Sequence, residues 1–138
     1  MNVPALGLLD TTAVTLADQL DPDQLPTEAV ITAVTLLSCP WAHSPPTIPR
    51  ERAIRQLRLQ DVEANFAPLP FDAEAARAYG RVADVLRRSG RKPSARAFDA
   101  LIAATAMANS LPLLTCNPHD FSGIDGLTLV PVDHPDAR

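Results

Sequence analysis

The chain has 138 residues, of which 46% are hydrophobic, and a formal net charge of −4 at pH 7. This length and apolar content predict a single domain, residues 1–138, because two ordinary domains with separate cores would need a longer chain. No apolar run approaches the roughly 20 residues that a membrane-spanning helix requires, and the N-terminal residues lack the basic segment of a secretory signal. Cys39 and Cys116 show no metal-binding spacing. We therefore expect a soluble, cytoplasmic protein with two reduced thiols and no membrane partner.

The first half of the chain mixes strand patterns with helical and proline-rich segments. Residues 6–9 form an apolar run that closes on Asp10, as expected for a buried strand followed by a helix-capping turn. Residues 29–34 are β-branched and apolar enough to form a second strand. Residues 37–49, LSCPWAHSPPTIP, contain four prolines where an α/β domain would normally continue into a helix. Residues 50–66 carry apolar side chains at near-helical spacing and predict an amphipathic helix.

The second half of the chain has a clearer alternation of helices and strands. Asp72 is placed to cap a helix whose apolar stripe runs through residues 75–86. Residues 97–109 predict an Ala-rich helix, residues 111–115 a short buried strand and residues 127–132 an edge strand interrupted by proline. Strands that alternate with helices indicate a parallel α/β sheet, in which functional groups gather beyond the carboxyl ends of the strands.

Polar side chains follow two of the predicted strands. Asp10 follows the first strand, whereas Asn117 and Asp120 follow the strand at residues 111–115. These side chains are therefore expected at the same edge of the sheet. A second interpretation exists for Asp10 and for Asp99, because carboxylates stabilise helix N-termini without any metal.

Basic residues are concentrated in one stretch that ends just before Asp99. No Lys or Arg occurs before Arg50. A local positive field of this size suits contact with nucleic-acid phosphates although the net charge is negative, and the alternative is a solvated helix end and loop. The candidate nucleic-acid backbone contacts are Arg87, Arg88, Arg91, Lys92 and Arg96.

Four sequence blocks together resemble one protein family. They are LLDTTAV (8–14), PFDAEAARAYGRV (70–82), RAFDALIAATAMANSLPLLT (96–115) and CNPHDFSGIDGL (116–127). In this order and spacing they resemble the VapC-type toxins of the PIN-domain family, and the resemblance covers nearly the whole chain. It implies a three-layer α/β/α PIN-like fold with a mainly parallel central sheet. It also implies an acidic site that binds Mg²⁺ or Mn²⁺ for the hydrolysis of RNA phosphodiester bonds.

The resemblance assigns roles to three acids. Asp10 matches the acid after the first strand, Asp99 the acid at the start of the Ala-rich helix, and Asp120 the late acidic position. These three residues are therefore the expected catalytic residues and metal ligands. Hard divalent cations favour oxygen ligands, and a cation that activates its bound water makes a protein nucleophile unnecessary.

Three further residues are accessory candidates. Asn117 lies beside the late acid and is a candidate polar ligand or substrate contact. Thr11 or Thr12 could orient Asp10 or contact substrate. A hydroxyl that follows a strand is, however, commonly just a helix cap.

The family pattern is broken at Ser38. Members of the family usually carry a helix reading something like TLAEL here, whose Glu is a metal ligand, whereas residues 35–39 of this chain read TLLSC. No Asp or Glu lies between Glu28 and Glu51 to replace it. We therefore expect weaker metal binding and reduced nuclease activity. A compensated pair of frameshifts would explain the aberrant segment 37–49 with its flanking blocks in frame, and a selected proline-rich loop is the alternative.

The leading hypothesis from the sequence is the toxin of a type II toxin–antitoxin system. It would be a Mg²⁺-dependent endoribonuclease of attenuated activity that forms a homodimer and is silenced by a cognate VapB-like antitoxin. The alternative is a catalytically inactive PIN domain that only binds antitoxin or RNA. A phosphohydrolase of another kind is disfavoured, because the five glycines are scattered and form no phosphate-binding loop.

Overall fold

A computed structural model of the protein describes residues 3–39, 49–91 and 97–137. In this part of the chain, five strands form one sheet of order β3-β2-β1-β4-β5. The strands are β1 Leu6–Leu9, β2 Glu28–Thr32, β3 Ala67–Leu69, β4 Leu113–Thr115 and β5 Leu129–Pro131. The helices are α1 Thr11–Thr15, α2 Ala33–Ser38, α3 Pro49–Asn65, α4 Ala73–Arg88 and α5 Ala97–Ala108. All four strand pairings are parallel, which confirms the predicted α/β sheet.

The sheet is buried on both faces. Successive side chains of a strand point to opposite faces, and neither Leu8 nor Leu9 of β1 is more than 1% exposed. Leu8 and Leu113 pack in one core cluster with side chains of α4 and α5, whereas Leu9 and Leu114 pack in a second cluster with side chains of α1. Two cores on opposite sides of a parallel sheet give the predicted three-layer α/β/α arrangement.

The second strand ends earlier than predicted. The sequence predicts a strand through Val34, but β2 ends at Thr32 and α2 begins at Ala33. Thr32 Oγ1 accepts a hydrogen bond of 2.9 Å from the Thr35 amide, so Thr32 caps the helix. Local capping therefore outweighs the β-propensity of Val34.

Helix α2 is short, and its end falls at the break in the family pattern. It ends at Ser38, and Cys39 has extended backbone angles of φ −61° and ψ 136°. A residue that precedes proline disfavours the helical region, and Pro40 comes next. Of the aberrant segment 37–49, residues 40–48 lie outside the described residues, so the frameshift hypothesis stays a prediction.

The later elements follow the predicted order with shorter ends. The strand predicted at 111–115 covers Leu113–Thr115, and the one predicted at 127–132 covers Leu129–Pro131, at the edge of the sheet as its proline indicated. Asp72 caps α4 by accepting a hydrogen bond of 3.0 Å from the Ala75 amide. None of the described helices has the length and apolar character needed to cross a membrane.

Gly7 has no room for a side chain in β1. A Cβ atom at this position would collide with Cδ1 of Leu114 and lie 3.4 Å from Cγ of Pro26. We expect Gly7→Ala to lower the free energy of unfolding by about 1–3 kcal/mol, the usual cost of overpacking a core, as measured by urea denaturation. Gly80→Ala is the matched control, because nothing lies within 4 Å of its Cβ position in α4 and alanine favours a helix by about 1 kcal/mol. Equal stability of the two variants would contradict the steric explanation.

Candidate active site

Asp10 lies at the carboxyl end of β1 and is only 2% exposed. Its Oδ1 atom accepts hydrogen bonds from Thr12 Oγ1 at 2.8 Å and from the Ala13 amide at 2.9 Å. Its Oδ2 atom accepts one from Thr115 Oγ1 at 2.5 Å. A carboxylate has about four acceptor positions, so three donors fix its orientation and leave acceptor capacity for a further group.

The negative charge of Asp120 acts on Asp10. Burial raises the pKa of Asp10 above its ordinary value of 3.8, and the charge of Asp120 raises this pKa further. The hydrogen bonds to Thr115, Ala13 and Thr12 oppose the rise. The charge of Asp120 therefore acts on Asp10, but it has a smaller effect on this pKa than burial has.

Asp120 lies on a short 3₁₀ turn, Pro118–Phe121, after β4. The turn is anchored by Phe121, which is 2% exposed, while Asp120 is half-buried. Asn117 precedes the turn with an exposed side chain, and its amide donates a hydrogen bond of 2.9 Å to Thr115 Oγ1. The same threonine hydroxyl therefore contacts Asp10 and holds the start of the segment that carries Asp120.

Asp99 lies in the first turn of α5 and is half-buried. Among residues 3–39, 49–91 and 97–137, no three His, Cys, Asp or Glu side chains are arranged to hold a metal ion. The charge of Asp120 acts weakly on Asp10, but the described residues do not gather these two acids with Asp99 into a ready metal cluster. The joint role of these three acids as metal ligands stays a prediction.

A pair of hydroxyl groups lies beside Asp10. Thr11 Oγ1 and Ser38 Oγ are 2.7 Å apart, and the Ser38 hydroxyl also donates to the Thr35 carbonyl at 3.2 Å. Of the two candidates for orienting Asp10, Thr12 makes the direct hydrogen bond and Thr11 pairs with Ser38 instead. A neutral serine thus stands, hydrogen-bonded, at the position to which the family resemblance assigns a glutamate.

Sequence reasoning missed Thr115. Its hydroxyl donates to Asp10 at 2.5 Å, a shorter hydrogen bond than those from Thr12 and the Ala13 amide, and it is fully buried at the end of β4. The signal for it was available, because a hydroxyl residue closes a buried strand that runs parallel to the strand before Asp10. What the sequence did not show is that β4 pairs directly with β1.

The two cysteines are free thiols, as predicted. Burial raises the pKa of Cys39 to about 11. Burial and the charge of Asp10 raise the pKa of Cys116 as well. Both thiols are therefore protonated at neutral pH and are poor nucleophiles.

The basic stretch divides into separate local contacts. Arg88 forms an exposed ion pair with Asp84, one helical turn away in α4. Arg91 donates two hydrogen bonds to Ser122, and Arg87 is exposed in the last turn of α4. The other two candidates, Lys92 and Arg96, lie outside the described residues, so the RNA-binding role of the stretch stays a prediction.

Comparisons with known proteins agree with this fold. The model of the PIN domain matches residues 8–127. The chain is 34% identical over 134 residues to Ribonuclease VapC5 of Mycobacterium tuberculosis, which covers 95% of this chain and 96% of the relative. The crystal structure of VapBC-5 from the same organism matches with a TM-score of 0.74 and 32% identity over 94% of this chain and 100% of that one. VapBC2 of Rickettsia felis, at 19% identity and a TM-score of 0.68 over 90% of this chain and 96% of that one, supports the fold alone. The chain belongs to the PIN-domain family as a member of the VapC type.

Proposed function

We propose that this protein is the toxin of a type II toxin–antitoxin pair and that it hydrolyses RNA phosphodiester bonds with the help of Mg²⁺ or Mn²⁺. The observation that carries this proposal is the buried carboxylate of Asp10, which hydrogen bonds from Thr12, Ala13 and Thr115 hold in one orientation. Burying a carboxylate costs free energy, and capping alone does not require burial, since Asp72 caps α4 while exposed. The names of the curated relatives, all ribonucleases, support the same activity.

The carboxylate groups of the site suit a hard divalent cation. Asp10 and Asp120 would hold it through carboxylate oxygens, which such cations prefer, with Asp99 as a third acid from α5. A cation bound there supplies an activated water and neutralises charge on the phosphate oxygens. Thr12 and Thr115 keep the Asp10 carboxylate oriented. The exposed side chain of Asn117, at the rim, would contact the RNA.

The partners in this proposal are a VapB-like antitoxin, RNA and a second copy of the chain, all in the cytoplasm. The crystal structure of VapBC-5 is described as a member of a family of toxin–antitoxin systems, which supports the antitoxin. Large apolar side chains exposed on α2 and α3 also favour a protein partner. They are Leu37, Ile54 and Leu57, with 55%, 44% and 65% exposure.

A second candidate function is a PIN domain that binds antitoxin or RNA without cleaving RNA. The observation that favours it is the Thr11–Ser38 hydroxyl pair, since a neutral serine contributes no charge to a cation site. In this case the acids would remain as part of a binding surface.

Purified protein incubated with total cellular RNA separates the two functions. After treatment with a chelator, we expect cleavage to return only when Mg²⁺ or Mn²⁺ is added back, because the site has carboxylates but no reactive thiol. The measurement is the yield of cleaved RNA ends over time at several metal concentrations. Undiminished cleavage in chelator would contradict the metal requirement. Retention of RNA or antitoxin binding without cleavage at any metal concentration would establish the binding-only function.

A further inference from the structure

The turn that carries Asp120 is tied at both ends. At its start, the Asn117 amide donates to Thr115 Oγ1 at 2.9 Å. At its end, Arg91 donates from Nη1 to the Ser122 carbonyl at 3.1 Å and from Nη2 to Ser122 Oγ at 2.9 Å. Asp120 lies between these two attachments, which come from different parts of the chain.

The backbone of Arg91 is itself fixed by the end of α4. Gly90 has a positive φ of 81°, its amide donates to the Arg87 carbonyl, and the Arg91 amide donates to the Leu86 carbonyl at 2.9 Å. These bonds form a Schellman motif, which closes the helix in one defined geometry. Leu86 is 2% exposed in the core. The backbone of Arg91, which is hydrogen-bonded to Leu86, is therefore held in place relative to the core.

We propose that Arg91 is a positioning residue, which holds the end of the 3₁₀ turn so that Asp120 keeps its place after β4, at the edge of the sheet where β1 ends at Asp10. One planar guanidinium makes both bonds to Ser122, and lysine cannot reproduce this bidentate (two-pronged) contact. The Ser122 hydroxyl also donates to the His119 carbonyl at 2.9 Å. Ser122 therefore links Arg91 to the turn that carries Asp120. The importance of this restraint for RNA cleavage rests on the proposed function, whereas the restraint itself does not.

This assignment changes the expectation for Arg91 drawn from the sequence. Two of the five guanidinium N–H groups of Arg91 donate to Ser122, and these two bonds fix the orientation of the group. Arg91 is also half-buried, whereas Arg87 and Arg88 are exposed. Its two hydrogen-bonded nitrogens are therefore better suited to organising the site than to following an RNA backbone.

Hydrogen–deuterium exchange tests the restraint directly. In Arg91→Gln, we expect the amides of Asp120 and Ser122 to exchange about fivefold to tenfold faster, the range for the loss of an ordinary hydrogen bond. Arg91→Lys keeps the charge but not the two-pronged contact, so its exchange should be intermediate. Arg77→Gln is the matched control, because Arg77 lies on α4, the helix that precedes Arg91, in an exposed ion pair with Glu74, which contributes little.

A kinetic measurement then separates positioning from RNA contact. Positioning predicts that Arg91→Gln lowers kcat for RNA cleavage while KM stays nearly constant, with partial recovery in Arg91→Lys. A higher KM with unchanged kcat would overturn the proposal in favour of a phosphate contact, and unchanged exchange in Arg91→Gln would overturn it outright. If the parent protein cleaves no RNA, the proposed function fails, and the exchange comparison alone decides whether Arg91 restrains the turn.

Discussion

The Asp10→Asn variant is expected to lose RNA cleavage by at least about a hundredfold while it remains folded. Groups that only orient a metal ligand already cost about 10–100-fold when they are changed, and Asp10 is proposed to be a ligand itself. Asparagine keeps the size and one carbonyl oxygen of the side chain, so the bonds from Thr12 and Ala13 can persist. The measurement is the initial rate of cleavage at saturating Mg²⁺ or Mn²⁺.

Asp72→Asn is the matched control for this variant. Asp72 also caps a helix through a side-chain hydrogen bond, but it is exposed at the start of α4. Asparagine and aspartate are comparable N-caps, so Asp72→Asn should leave both folding and cleavage nearly unchanged. If Asp10→Asn behaved like Asp72→Asn, the carboxylate of Asp10 would be a helix cap and no more.

Asp10→Asn is expected to lower RNA cleavage but to raise the stability of the metal-free protein at neutral pH. Because burial raises the pKa of Asp10 above 3.8, the folded chain binds a proton there more readily than the unfolded chain does. The contribution of Asp10 to the free energy of unfolding therefore falls as the pH rises from 3.8 through the raised pKa, and the whole loss is present above that pKa. Without metal, Asp10→Asn should raise Tm at neutral pH and lose this advantage below pH 3.8.

Added metal should reverse that difference. A ligand that binds only the folded state stabilises it in proportion to its occupancy. The Tm of the parent protein should therefore rise with Mn²⁺ concentration, whereas that of Asp10→Asn should not. A parallel rise in both proteins would show that the cation binds elsewhere.

Much of the fold could be predicted because the sequence marks its elements locally. Residues 6–9 are apolar and are followed at once by a capping residue, so both β1 and Asp10 could be placed. Asp72 marks the start of α4 in the same way. The predicted boundary between β2 and α2 was wrong, because Val34 is a strand former. Only the hydrogen bond from the Thr35 amide to Thr32 shows that a helix has begun.

The candidate site was predicted in part, since its acids follow strands whereas its supporting contacts link distant segments. The bond from Thr115 to Asp10 spans 105 residues, and its existence depends on the pairing of β4 with β1. The contact from Arg91 to Ser122 spans 31 residues. Charge clustering in the sequence predicts RNA contact for Arg91, which stays a prediction, but it does not show that the guanidinium also donates to Ser122.

Ser38→Glu is expected to increase the affinity for Mn²⁺ by at least about tenfold, which corresponds to about 1.4 kcal/mol. Ser38 ends α2, and its hydroxyl is 2.7 Å from that of Thr11, the residue that follows Asp10. A carboxylate introduced here would add negative charge near Asp10, a buried acid whose pKa is already raised by burial and by the charge of Asp120. Without metal, the variant should therefore be less stable than the parent protein, and with metal this order should reverse.

The size-matched control is Ser38→Gln, which breaks the same hydroxyl pair but adds no charge. Isothermal titration with Mn²⁺ should show a gain in affinity for the glutamate variant alone, and RNA cleavage should rise with it. An equal affinity for Glu and Gln at this position would mean that the end of α2 does not face the cation. If the affinity for Mn²⁺ rose while RNA cleavage stayed absent, the substitution at Ser38 would not be the only cause of inactivity, and the chain would act as a binding module. The reason is that a restored metal ligand restores the chemistry only where the rest of the site is intact.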